Sequence, residues 1–525
     1  MGGHLSHLKP EHHSNVFFAS CGPVRGNFYR HVGIPYAKPP IGELRFRKPV
    51  LVDVWSEPRD CFEYGPRCPS SGMFYEKIDL KNQDVPDEAN CLTLNVFRPR
   101  WQCKEYIKRP VMVFIHGGGF ELCASRDYCD YSLTGTLPLK DVLVVTINYR
   151  LGALGFFSTG DETCPGNFGL WDQTLALKWV QKHIASFGGD PNNVTIFGQS
   201  AGGVSVDLLS LSPHSRDLFH KFLPMSGSAH VPFAIRTARY QLEVSLEYAR
   251  NKGFTGSGST ELFEFMKNLP VEKLLERSGF EHSASGMVSF GPNLDYDFFP
   301  KPLEELRIEA SNKPVMIGMA EHEGLLFAFT DPHFTTADEV LKRKIAAEFK
   351  EDVVDNPEKI RRDIFEYYMN FNRDSDEKKL VAYTGDSIFN AGVILAAKSL
   401  ATHGNTVFFM YLTTAIQTIS DQLEAYYRSE FQLIVLNFGT LSEKVYTMME
   451  YMTTMFSNFA KYGNPNISGS TKWESFRASD NHKHFYITYP ESEMREQFHG
   501  GRCQFLEEMN NQNNSYQEIF FGKNN

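Results

Sequence analysis

The chain has 525 residues, 42% of them hydrophobic, which is ample for a large core; length alone allows three or four domains. No linker rich in Pro, Gly or Ser, no internal repeat and no charge block marks a boundary between them. A net charge of −10 argues against nucleic-acid binding, which needs basic surface, and no run of eighteen apolar residues predicts a membrane span.

The N-terminus, Met1-Gly2-Gly3-His4-Leu5-Ser6, lacks an apolar h-region and so predicts no secretory signal. It fits the M-G-x-x-x-[ST] myristoylation pattern with Gly2 as acceptor; a disordered polar leader is the alternative. One myristoyl chain gives only marginal membrane binding, and Lys9 is the one base nearby apart from histidines. A cytoplasmic protein, loosely tethered to membranes, is expected. Nine cysteines, an odd count, fit that compartment with free thiols.

Residues 14–60 read as short strands and turns. The first long strand, 111–115, runs into His116-Gly117-Gly118-Gly119-Phe120, and a second covers 142–148. A helix over 172–187 carries the stripe Leu175, Trp179, Val180 and Ile184, and Gly188-Gly189 terminates it. Strand 193–197 leads into Gly198-Gln199-Ser200-Ala201-Gly202, followed by a helical pattern. Strands at 222–225, 315–318 and 406–412 follow, with a mainly helical stretch, 235–310, that predicts a cap. Strands alternating with helices predict an α/β fold with a mostly parallel sheet covered on both faces. Residues 503–525, polar and Asn-rich, predict an exposed tail.

Two of these strand–turn junctions carry chemistry. A G-x-S-x-G sequence between strand and helix is the setting of a nucleophile elbow, in which a sharp turn presents the serine oxygen above the sheet. A five-residue pattern alone is weak; the glycine run about eighty residues upstream strengthens it. In acyl transfer the former carbonyl oxygen becomes an anion, and each backbone N–H aimed at it contributes about 2.7–4 kcal/mol. Gly118, Gly119 and Ala201 are placed to supply three. Neither a metal nor a cofactor is called for.

With these motifs the chain resembles the type-B carboxylesterase/cholinesterase family of α/β-hydrolases. The likeness extends to Gly33-Ile34-Pro35-Tyr36-Ala37-Lys38-Pro39-Pro40, Cys91-Leu92-Thr93-Leu94-Asn95-Val96, Asn148-Tyr149-Arg150 and Gly166-Asn167-Phe168-Gly169-Leu170-Trp171-Asp172. It continues at Met225-Ser226-Gly227-Ser228 and Phe459-Ala460-Lys461-Tyr462-Gly463-Asn464-Pro465. The resemblance implies one α/β-hydrolase domain over 14–502, with helical cap insertions, between a leader at 1–13 and the tail at 503–525. It implies an Arg150–Asp172 ion pair and a Ser226 hydroxyl beside the catalytic acid. Relatives read Glu-Asp-Cys where this chain has Ala89-Asn90-Cys91, which leaves Glu88 as the candidate partner of Arg45. Secreted relatives bridge the positions of Cys68 and Cys91; here free thiols are expected. The loop between them has Phe74 and Tyr75 but no tryptophan, which disfavours choline esters, since quaternary ammonium prefers a Trp face.

The implied triad order is Ser, acid, His. Gly318-Met319-Ala320-Glu321-His322-Glu323-Gly324 looks like the acid turn and assigns Glu323, with Glu321 the runner-up. The histidine should follow strand 406–412, but its position holds Tyr427, and no histidine occurs between His403 and His482. Tyrosine, with a pKa near 10, stays protonated at neutral pH and is a poor base. His403 is expected at the wrong end of the sheet, with His482 and His484 facing solvent. His230, on the loop that shapes the acyl pocket in relatives, and His322 are the remaining candidates for reaching Ser200. Residues 413–429 are shorter and less family-like than their flanks, so a misassigned splice junction accounts for the gap as well as true loss does. The expected function is a serine carboxylic-ester hydrolase acting on a small-molecule ester, with activity in doubt. The alternative is an inactive, carboxylesterase-like binding protein.

Overall fold

The computed structural model describes residues 16–19, 21–26, 30–70, 86–99, 101, 108–128, 130–276, 290–329, 335–349, 354, 356–371, 375–413, 443–480, 482–496, 498–510 and 514–522. Its centre is a ten-stranded sheet. In chain order the strands are β1 Arg30–Pro35, β2 Thr93–Phe97, β3 Arg109–Ile115, β4 Leu143–Ile147 and β5 Gly189–Gln199. They continue with β6 Lys221–Met225, β7 Pro314–Ala320, β8 Thr406–Leu412, β9 His484–Ile487 and β10 Glu493–Arg495. In space they lie β10-β9-β8-β7-β6-β5-β3-β4-β2-β1. From β9 to β4 neighbours are parallel; β10 pairs antiparallel with β9, β2 with β4, and β1 with β2. Every residue of β3 and β4 is buried, as expected of parallel strands covered on both faces.

The strand order places the site. From β3 the chain passes to β4 on one side and then returns to lay β5 on the other. The connections diverge between β3 and β5, so a crevice opens there beyond the strands' carboxyl ends. Register brings those ends level: Ile115 faces Gly198, Gln199 faces Met225, Met225 faces Gly318, and Ala320 faces Leu412. The loops after β3, β5, β6, β7 and β8 therefore leave from one rim.

Helix α1, Phe168–His183, and helix α2, Ala201–Leu211, pack against this sheet, and a 3-10 turn at Ile184–Phe187 completes the stretch predicted as 172–187. The cap region holds α3 Ala238–Asn251, α4 Ser259–Asn268 and α5 Leu303–Glu309. Helices α6 Ala337–Glu348, α7 Pro357–Asn370 and α8 Asp376–Gly385 gather round a separate apolar cluster. A π-helical turn, Asp386–Asn390, joins α8 to α9, Ala391–Thr402. The continuous helix 376–402 is long and apolar enough to cross a bilayer, but 83% of its most apolar window is buried in the fold, which makes it a core helix. Helix α10 is Glu443–Tyr462.

Two expectations are corrected. Cys68 and Cys91 form a disulfide, their Cα atoms 4.9 Å apart, rather than remaining free thiols. The described residues of 503–525 do not form an exposed tail. Arg502–Asn510 (α11) and Asn514–Phe521 (α12) are helices that bury Cys503, Leu506, Ile519 and Phe520. Burying four apolar side chains outweighs the solubility of the asparagines around them.

Candidate active site

Ser200 sits between β5 and α2 with φ 57° and ψ −127°, a backbone region that non-glycine residues avoid at a cost of about 1–3 kcal/mol. The surroundings hold it there. Its N–H donates to the Met225 carbonyl (2.9 Å) and its carbonyl accepts from Val204 (2.9 Å). The glycines of the motif are demanded by close approach: a Cβ on Gly202 would lie 2.1 Å from the Ile115 oxygen, and one on Gly198 2.6 Å from it. Ser200→Gly is therefore expected to stabilise the fold by about 1 kcal/mol, since relief of strain exceeds the extra entropy glycine loses on folding. Urea denaturation checks it, with Ser200→Ala, which keeps the strain, as control; a lower midpoint for the glycine variant would contradict it.

The glycine run after β3 lies against this turn. A Cβ on Gly117 would stand 3.2 Å from Ser200 Cβ. Gly118 and Gly119 adopt φ values of 97° and 62°, and the Gly118 carbonyl accepts from the N–H groups of Glu121 (3.0 Å) and Leu122 (2.9 Å). These two bonds satisfy the Gly118 carbonyl within the turn. Ala201 opens α2, where first-turn N–H groups have no acceptor within the helix. His116 is buried; its Nδ1 lies 3.0 Å from the Gly117 oxygen, its ring stacks on Tyr149, and the Tyr149 hydroxyl donates to its carbonyl (2.8 Å). Burial pushes its pKa down to about 4, so at neutral pH it is an uncharged support for the loop.

The two acids of the turn after β7 point to different partners. Glu323 is buried, and its Oε1 accepts from the Ala320 N–H (2.7 Å) and the Ser226 hydroxyl (2.5 Å). Burial raises its pKa against both bonds. Ser226 precedes Gly227, where a Cβ would come within 2.3 Å of the Ser200 carbonyl oxygen, so Glu323 is tied to the segment that rests on the elbow. Glu321, only half-buried, accepts from the Thr413 hydroxyl at the end of β8. Gly2, Phe74, Tyr75 and Tyr427 lie outside the described residues.

The histidines distribute as follows. His322 is half-buried, and burial lowers its pKa against the opposing pull of Glu321. His230 is buried, with its Nε2 3.5 Å from Glu304 Oε1 and its ring packed on Phe520. His403 precedes β8, on the rim opposite Ser200, with Nε2 3.8 Å from Glu304 Oε2. His482 and His484 are buried rather than solvent-facing. Burial lowers both, His482 to about 4; His482 lies 3.7 Å from Glu507, and His484 packs edge-on against Tyr411 and Phe498.

Both ion pairs expected from the sequence form. Arg150 grips Asp172 through Nε and Nη2, both at 2.8 Å, and Arg45 meets both oxygens of Glu88. Sequence reading missed Asp207, fully buried in α2 and paired with Arg307 of α5 at 2.8 Å. Burial works against the charge, but Arg307 outweighs it and the carboxyl is held low. The available signal was one acid in the apolar run Ala201–Leu211, since a buried charge needs a partner.

Comparison with known proteins identifies the family. The sequence model of the carboxylesterase family matches residues 13–506. The chain is 52% identical to esterase cest-33 of Caenorhabditis elegans, over all of this chain and 99% of that one. Their alignment runs over 551 positions, more than the residues present here, so the relative carries residues without counterpart in this chain. Identity to the pyrethroid hydrolase Ces2e of Rattus norvegicus is 33%, over 86% of this chain and 82% of that one. Identity to a cholinesterase of Mus musculus is 29%, over 91% and 83%. A mostly parallel sheet with a strained serine at its switch point, together with a match over nearly its whole length, means that the chain belongs to the carboxylesterase family.

Proposed function

We propose that the protein acts on small carboxylic esters through an acyl-enzyme on Ser200, and that it does so slowly. Ser200 Oγ adds to the ester carbon, the carbonyl oxygen becomes an anion held by Gly118, Gly119 and Ala201, and the alcohol leaves. Water then releases the acid. The observation that carries this reading is the backbone of Ser200 itself: φ 57° at a non-glycine residue is strain kept where it presents a nucleophile beside backbone donors. Glu323, bonded to Ser226, takes the role of the orienting acid.

Slowness follows from the proton. The serine proton needs an acceptor as the bond forms, and Tyr427 stands at the family's base position. Loss of the base in one serine hydrolase cost about 10⁶ in kcat, leaving what the oxyanion donors and binding supply. The longer aligned length of the C. elegans relative supports a segment missing from this chain, in keeping with the short stretch 413–429. The second reading, a binding protein that keeps the scaffold without turnover, is favoured by one observation: no histidine lies between His403 and His482.

Aryl-ester turnover by the purified chain, with Ser200→Ala as blank, separates them. The expected result is a rate barely above background that vanishes in the variant. Equal rates for the two proteins would favour the binding reading. Ser200-dependent turnover at ordinary esterase rates would mean that another base serves.

A further inference from the structure

The segment 226–231 rests on the nucleophile elbow; besides the bond from the Ser226 N–H to the Gly318 carbonyl (2.8 Å), four contacts made through side chains hold it there. Ser226 donates to Glu323, and the Ser228 hydroxyl donates to the Gly392 carbonyl of α9 (3.0 Å). The Ala229 N–H donates to Asp207 (2.8 Å), the acid paired with Arg307. The fourth is His230, between the Glu304 carboxylate on one side and the ring of Phe520 on the other, its centroid 4.3 Å away at 31°. Phe520 belongs to α12, which begins beyond residue 506, where the match to the family ends. Ile519 and Phe520 are both buried, and a Cβ on Gly522 would come within 2.9 Å of Pro302, at the head of the helix that carries Glu304.

We infer that Phe520 and His230 are positioning residues, through which the C-terminal helix α12 braces the segment 226–231. That segment connects the brace to both halves of the chemistry: Ser226 holds the Glu323 carboxyl, and Gly227 lies on the Ser200 carbonyl. The inference rests on the reading of Ser200 and Glu323 as nucleophile and acid, but its test needs no turnover. A segment held by buried side chains opens as a unit when one anchor is lost, and amide hydrogen exchange reports such openings locally.

The experiment is hydrogen exchange on the full chain as wild type, Phe520→Ala, Phe520→Leu and Phe476→Ala, the last a buried aromatic beside β8 on the opposite rim. Phe520→Ala is expected to speed exchange at 226–231 and 320–325 by at least about fivefold, and Phe520→Leu, which refills the site, to restore most of the protection. Phe476→Ala is expected to leave these two segments no more affected than the rest of the sheet. His230→Gln keeps a donor for Glu304 but removes the ring; it is expected to reproduce the alanine pattern and serves should Phe520→Ala fail to fold. Faster exchange confined to 514–522, or spread evenly over the sheet, would overturn the brace. Should the expected pattern appear while Ser200→Ala leaves ester turnover unchanged, the brace stands and the catalytic reading falls.

Discussion

Tyr427→His is expected to raise aryl-ester hydrolysis by at least about tenfold over the wild-type chain, with Ser200→Ala in the same background abolishing the gain. On the function proposed above, Ser200, Glu323 and the glycine run leave one rim, at the ends of β5, β7 and β3, and the step to be restored is transfer of the serine proton. Imidazole titrates near neutral pH, where it can take and return that proton; a phenol with a pKa near 10 cannot. The full factor of about 10⁶ is not expected back, because the base must lie within about 3 Å of the serine oxygen and the stretch 413–429 is short. Glu323 gives the sign of the accompanying pH effect. Burial raises its carboxyl, so the acid form persists further up the pH scale than in water. A protonated Glu323 cannot balance an imidazolium, and activity in the histidine variant should fall as pH drops through that raised value. Rates are to be followed with a chromogenic aryl ester across pH. No gain in Tyr427→His, with the transcript confirming residues 405–445, would make the non-catalytic reading the better one.

The sequence carried the strands, the elbow and the acid turn because each has a local physical signature. Buried parallel strands read as continuous apolar runs, and close approach to Ile115 admits only glycine at 198 and 202. The different surroundings of Glu321 and Glu323 appear only in three dimensions, since two residues apart in sequence they meet Thr413 and Ser226, which lie on different strands' loops. Burial of His484 was hidden for the same reason: Tyr411 and Phe498, which cover it, arrive from distant segments. The C-terminal helices were overlooked because asparagines flank them, although Cys503 and Leu506 already stand at helical spacing. The Cys68–Cys91 bridge was misread differently. Its formation rests on local geometry, with Cα atoms 4.9 Å apart, which the composition of the N-terminus does not reveal.

Asp172→Ala is expected to destabilise the chain by about 3–5 kcal/mol, read from urea denaturation, because it strands the Arg150 guanidinium in the interior. Asp172 is fully buried; burial pushes its carboxyl up, and the bonds from Arg150 pull it back, so each partner depends on the other. Replacing both together, Arg150→Met with Asp172→Leu, should recover much of the loss, since two buried charges and their desolvation vanish as a pair. Recovery should stop short by about 1–3 kcal/mol, because the backbone N–H of Arg150 also donates to Asp172 (3.0 Å) and would be left unpaired. The effect should reach the site as well. Arg150 follows Tyr149, whose hydroxyl holds the His116 carbonyl at the start of the glycine run, so slackening the pair should loosen that run. Exchange at 116–122 should therefore rise more in Asp172→Ala than at 320–325, where the acid is held from another side by Ser226. A single variant as stable as wild type would show that water or a neighbour takes over the guanidinium, and a double variant no better than the single would mean that the backbone bond, rather than the charge pair, carries the energy.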